Sequence, residues 1–118
     1  MTTHSIVHIE FPAAETAQST EFYSKLFGWQ VQHHPEMSYP TFAVEGGVGG
    51  GFPQVDGEMV QPGNVLVYVS TDDIEASLAR VEELGGQTVV PRTDIPGIGF
   101  FAIFRDPTGN RVALYSER

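Results

Sequence analysis

The sequence predicts a small α+β domain built from two tandem β-α-β-β-β units. Three observations predict it. A pattern near the N-terminus recurs at a constant offset: Val7, Ser19, Leu26, Gly28 and Val31 return as Val65, Ser77, Leu84, Gly86 and Val89. Each copy opens on an alternating, strand-like segment and passes into a segment of helical period that a glycine stops. The remainder of each copy is short β-patterned runs separated by turn residues, which places helices on one side of a sheet rather than between parallel strands.

The elements follow in order. Val7-His8-Ile9-Glu10-Phe11 alternates polar and apolar as a strand with one buried face does. Residues 15–27 carry Phe22, Tyr23, Leu26 and Phe27 at helical spacing, and Gly28 ends the helix. Trp29–His33 and Pro40–Glu45 read as two further strands. The run Gly46-Gly47-Val48-Gly49-Gly50-Gly51 has two open readings, a close-packed strand or a flexible loop. It lacks the Gly-Lys-Ser/Thr ending of a phosphate-binding loop. Asp56-Gly57 and Pro62-Gly63 mark turns, and Gln54 to Gly63 is the expected linker. One domain over residues 1–118 is thus expected, with module one near 4–53, the linker near 54–63 and module two near 64–118.

In module two, Asn64–Val69 reads as a strand, and Asp72 with Glu75 as a capping-box-like helix start. Ile74, Leu78 and Val81 form the buried stripe of a helix ending at Gly85-Gly86. Gln87–Val90, Phe100–Phe104 and Arg111–Tyr115 are the last strands. Asp94-Ile95-Pro96-Gly97-Ile98-Gly99 is a connector or a cover for a pocket mouth, and Asp106 to Asn110 is a turn.

Composition narrows the function classes. The 118 residues suit one domain with a real core. A 41% hydrophobic and 18% charged make-up is that of a soluble globular chain. There is no apolar run approaching the roughly 20 residues of a membrane span, so no membrane association is expected. Met1 to Ser5 does not open a signal peptide. With no cysteine, disulfides, thiolate metal sites and cysteine nucleophiles are excluded, and a cytoplasmic location is expected. A net charge of −9 without a basic stripe argues against nucleic acid as a partner.

The order of motifs resembles the vicinal oxygen chelate superfamily, which comprises glyoxalase I, bleomycin-resistance proteins and extradiol dioxygenases. The likeness is carried by His8-Ile9-Glu10, by Phe22-Tyr23 through Leu26-Phe27-Gly28-Trp29, by Asp72-Asp73-Ile74-Glu75-Ala76 and Leu84-Gly85-Gly86, and by Phe104 through Asn110. It covers nearly the whole chain and is nearest to the small bacterial glyoxalase-related proteins. The resemblance implies a glyoxalase-like fold, two modules forming a curved, half-open mixed sheet cup, and a homodimer. It also implies metal ligands from the first and last strands of each module. Those positions fall here on His8, on Leu66, on Ala113 and within Gly49–Gly51, so three of the four lack a donor side chain. Catalytic zinc or nickel takes about three protein ligands, and the expectation is therefore a site without metal or other cofactor.

His8 and Glu10, two apart on one strand, share a face and are the candidate proton-transfer pair; a rim position for both is the bland alternative. At the corresponding offset module two has Leu66 and Tyr68. Tyr68 and Tyr115 are candidate pocket-lining residues or half-buried packing, as are Phe42 and Phe101, with Leu66 and Ala113 beside them at the vacated ligand positions. Trp29 reads as core. The adjacent His33 and His34 point to opposite strand faces and read as a solvated strand end. Three functions compete for a small-molecule ligand: a metal-independent lyase or isomerase using Glu10 and His8, a ligand-sequestering protein without turnover, and a metal-dependent enzyme with a non-standard ligand set.

Overall fold

The chain orders its elements as β1 (Ile6–Glu10), α1 (Thr16–Phe27), β2 (Gln30–Gln32), β3 (Thr41–Ala43) and β4 (Gly50–Gly51), then β5 (Leu66–Ser70), α2 (Ile74–Glu83), β6 (Gln87–Ile95), β7 (Gly99–Arg105) and β8 (Arg111–Ser116). This computed structural model describes residues 4–34, 36–58 and 60–118. Met1 to Thr3 of the N-terminal reading, Pro35 after the histidine pair and Met59 of the expected linker lie outside them. The order is β-α-β-β-β written twice, an α+β fold. Two units are distinguished: residues 8–66, and residues 67–118 together with 4–7.

In the first unit the strand order is β2-β3-β4-β1. β3 is antiparallel to β2 and β4, while β4 runs parallel to β1. The glycine run resolves into a close-packed strand at Gly50-Gly51. A Cβ on Gly49 would stand 2.6 Å from the Phe42 carbonyl oxygen, and one on Gly50 would overlap the Ile9 carbonyl and come within 2.8 Å of the Phe42 ring. Backbone cannot step aside as a side chain can. Gly50→Ala is therefore expected to cost at least about 3 kcal/mol, at the upper end of overpacking penalties. The urea midpoint followed by circular dichroism checks this, and an unchanged midpoint would refute so close a β1–β4 pairing.

Under this sheet lies an aromatic core. Ala13, Phe42 and Phe52 are buried, and Phe11, Tyr23, Trp29 and Val44 pack on them. Trp29 stacks on Phe42 at 4.4 Å and on Tyr23 at 5.3 Å between ring centres. Of the four large residues at helical spacing on α1, Phe22, Leu26 and Phe27 are all more than half exposed, and Tyr23 reaches this cluster. Gly28 ends α1 in the left-handed region at φ 75°, its N–H donating to the Ser24 carbonyl.

The second unit orders its strands β5-β8-β7-β6, with β5 parallel to β8 and the others antiparallel. Ile74, Leu78, Ala102 and Leu114 form its buried core, with Val69, Phe100 and Phe104 against them. Two expectations are corrected here. The N-cap of α2 is Asp73, not Asp72: its Oδ1 accepts from the Ala76 N–H at 3.0 Å. β6 runs on past Pro91 to Ile95, because register shifts between Thr88 and Thr93 let the sheet accommodate a residue without an N–H. Asp94 and Ile95 thus belong to the strand, and a tight turn closed by the Ile98 N–H on the Ile95 carbonyl joins β6 to β7. The expected turn after β7 is built on Asp106. Its Oδ1 accepts from the N–H groups of Thr108, Gly109 and Asn110 at 2.9 Å each, and these bonds, that of Asn110 foremost, hold the carboxyl below its ordinary value. No helix among the described residues is long and apolar enough to cross a membrane.

Candidate functional site

In the first unit, strand register decides which face each side chain takes. Ile9 pairs with Gly50, Gly50 with Phe42, and Phe42 with Val31, and this row faces the aromatic core beneath α1. Glu10 pairs with Gly51, Gly51 with Thr41 and Thr41 with Gln32, so this row takes the opposite face. His8 and Glu10 therefore lie together on the face turned away from α1. Phe42 does not join them; it is 5% exposed and stacked on Trp29. Leu66 opens β5, half-buried.

A residue that the sequence reading overlooked completes the cluster. The Tyr39 hydroxyl donates to Glu10 Oε2 at 2.5 Å and lies 2.8 Å from His8 Nε2. The imidazole and carboxylate are themselves 4.0 Å apart, with side chains 32% and 15% exposed. The distance of 2.5 Å is that of a charge-assisted O–H···O⁻ bond, roughly twice as strong as a neutral one. A phenol has one proton. If Glu10 receives it, His8 bonds the phenol oxygen by donating from Nε2, which orders the chain as His8 to Tyr39 to Glu10.

Burial lowers the His8 pKa from the ordinary 6.5 by penalising the charged ring. The imidazole is thus neutral near pH 7, and its Nε2–H tautomer is the neutral form able to donate to the phenol. The sign for stability follows. With the folded value below the unfolded one, His8 costs nothing above pH 6.5 and costs stability as pH falls through that value toward the folded one. The urea midpoint of the wild type is expected to fall further between pH 7.5 and 5.5 than that of His8→Asn. Parallel pH dependences would contradict the assignment.

His34 Nε2 bonds Thr41 Oγ1 at 2.9 Å, and His33, His34 and Tyr39 border a depression of about 370 Å³. Among the described residues no group of three or more His, Asp and Glu side chains is placed to hold a metal ion.

The other candidates lie in the second unit and form a second group. Tyr68 pairs with Ala113 and Ala113 with Ile103; Ser70 pairs with Tyr115 and Tyr115 with Phe101. These rows share one face, opposite the Val69, Leu114 and Ala102 row that packs on α2. Tyr68, Phe101 and Tyr115 are each half-buried there, and the Tyr115 hydroxyl donates to the Ile98 carbonyl at 3.2 Å. Ala113 is fully buried.

Comparison with known proteins agrees with this architecture. The chain is 32% identical to the anthracycline biosynthesis protein DnrV of Streptomyces peucetius across 87% of its own length and 43% of the relative's. It is 28% identical to the putative glyoxylase CFP32 of Mycobacterium tuberculosis, across 91% of this chain and 43% of that one. The chain thus spans less than half the length of these relatives. Among solved structures, a glyoxalase/bleomycin resistance protein/dioxygenase superfamily member from Vibrio splendidus superposes with a TM-score of 0.70 at 18% identity, covering 97% of this chain and 99% of that one. The methylmalonyl-CoA epimerase of Mycobacterium tuberculosis gives 0.70 at 14% identity, over 100% of this chain and 92% of its own. The family's sequence profile matches residues 5–114, and the chain belongs to the Glyoxalase/Bleomycin resistance protein/Dioxygenase superfamily.

Proposed function

We propose that the His8–Tyr39–Glu10 chain is a metal-independent proton-transfer site acting on a small organic metabolite. The observation that carries this reading is the 2.5 Å bond from Tyr39 to Glu10, continued to His8 at 2.8 Å. Glu10 is the base of such a site and takes a proton from carbon next to a carbonyl. Tyr39 and His8 are the paired donors that hold its charge in place and settle the proton once it is transferred. Removing a proton beside a carbonyl and returning it elsewhere is lyase or isomerase chemistry.

The donor set argues against the family's metal. At the positions where ligands are expected stand His8, Leu66, Ala113 and the run Gly49–Gly51, and the His8 Nε2 is already bonded to a phenol. Leucine, alanine and glycine side chains offer no lone pair, and one imidazole does not hold a divalent ion.

A second reading, binding without turnover, is favoured by the aromatic group Tyr68, Phe101 and Tyr115 on one sheet face. Flat aromatic ligands stack on such surfaces, and a relative named for anthracycline biosynthesis makes polycyclic aromatic polyketides the first class to try.

The test is a thermal-shift and turnover screen of carbonyl metabolites and aromatic polyketides, run with and without chelator. Turnover that survives chelation, and is lost in Glu10→Gln, is the expected result. Activity that disappears with chelator and returns with zinc or nickel would overturn the reading. Stabilisation by a ligand that is never converted would favour binding alone.

A further inference from the structure

Gly51 stands directly opposite Glu10 in the β1–β4 register and is buried. Its backbone is not in the left-handed region, so conformation does not demand a glycine there. Space does. A Cβ on Gly51 would overlap the ring end and hydroxyl of Tyr39. The Tyr39 phenol thus occupies the volume that a side chain at position 51 would fill.

We infer that Tyr39 is the positioning residue of this site and that Gly51 is the residue that admits it. This rests on the proposed use of His8 and Glu10 and adds how they are held. The phenol donates its single O–H to the Glu10 carboxylate in a hydrogen bond and leaves its oxygen to accept from the imidazole. Tyr39 thereby selects the His8 tautomer protonated at Nε2 and keeps Glu10 supplied with a donor. A carboxylate and an imidazole 4.0 Å apart do not achieve this directly, because that separation exceeds a hydrogen bond. A side chain at 51 and a phenol from 39 are mutually exclusive, so the empty strand Gly50-Gly51 is part of the site.

The tautomer is read without a substrate. Long-range ¹H–¹⁵N correlation spectra of labelled protein, taken at pH 8, distinguish the two forms of His8. In the wild type the Nε2–H form is expected in about tenfold excess, the preference that one hydrogen bond to a charged network sustains. Tyr39→Phe is expected to lower that excess measurably. Gly51→Ala is expected to do the same while retaining the phenol, since the new methyl meets only the movable end of a side chain. The double variant should match either single one rather than add to it.

An Nδ1–H form in the wild type, or an unchanged tautomer in either single variant that folds, would overturn the inference. Dispersed amide spectra report folding, and should one variant fail to fold the other decides. The outcome is independent of the proposed chemistry. Full turnover in Glu10→Gln would remove the catalytic reading and leave the tautomer result standing. An unperturbed tautomer in Tyr39→Phe would remove this inference and leave the role of Glu10 intact.

Discussion

Glu10→Gln is expected to lower turnover by about 10²–10⁴-fold, the contribution of a positioned general base. The substitution isolates charge from shape. A glutamine amide oxygen still accepts from the Tyr39 hydroxyl, so the bond now 2.5 Å long has a successor and the β1–β4 register is undisturbed. What is lost is the ability to take up a proton. The urea midpoint should therefore stay close to that of the wild type while kcat collapses, and KM should move little because the ligand contacts persist. Glu21→Gln, a charge loss of the same kind on the exposed face of α1, serves as the control and should leave both constants unchanged. Turnover within about threefold of wild type in Glu10→Gln would refute Glu10 as the base, because it would fall below the effect of any general base.

The contrast between Glu10 and Tyr39 indicates how much of this molecule is legible in its sequence. The helices declare themselves, since an apolar period and a stopping glycine are local signals, and Gly28 acts at φ 75° as a helix terminator does. The duplication declares the order of elements. His8 and Glu10 were also legible, because a spacing of two on one strand fixes a common face before any tertiary fact is known. Tyr39 was not. It is far from Glu10 in sequence, and nothing local to it distinguishes a tyrosine before a strand from any other. Its place depends on β4 pairing with β1 so that Gly51 falls opposite Glu10, and a two-residue glycine strand has no alternation to announce that register.

The remaining differences have similar causes. Asp72 and Asp73 are equally good caps by type, and only the backbone angles of Asp73 select it. Pro91 looks like a strand terminator until a register shift in β6 absorbs it. Phe42 has the composition of a pocket residue, yet one step of register places it on the core face instead.

Phe52→Ala is expected to be the most damaging truncation in the first unit, at about 3–5 kcal/mol. Phe52 is 0% exposed, with the rings of Phe42 at 5.3 Å, Tyr23 at 5.6 Å and Phe11 at 6.3 Å. Truncation removes the apolar transfer term and leaves a void among rigid rings, which close over a cavity less readily than aliphatic chains do. Against a total stability of about 5–15 kcal/mol this is a large fraction, and the melting temperature should fall by more than about 10 °C. Phe22→Ala tests the reasoning on the same aromatic residue type. Phe22 is 57% exposed, and its loss should change stability by no more than about 0.5 kcal/mol. Equal midpoints for the two variants would refute the core assignment. The consequence extends to the site, because Phe52 directly follows Gly51 and its N–H donates to the Pro40 carbonyl, next to Tyr39. The residue that fills the core beneath α1 thereby ties the end of β4 to Pro40, beside the phenol. Phe52→Ala should accordingly loosen the His8–Tyr39–Glu10 chain at temperatures where the protein is still folded, and Phe22→Ala should not.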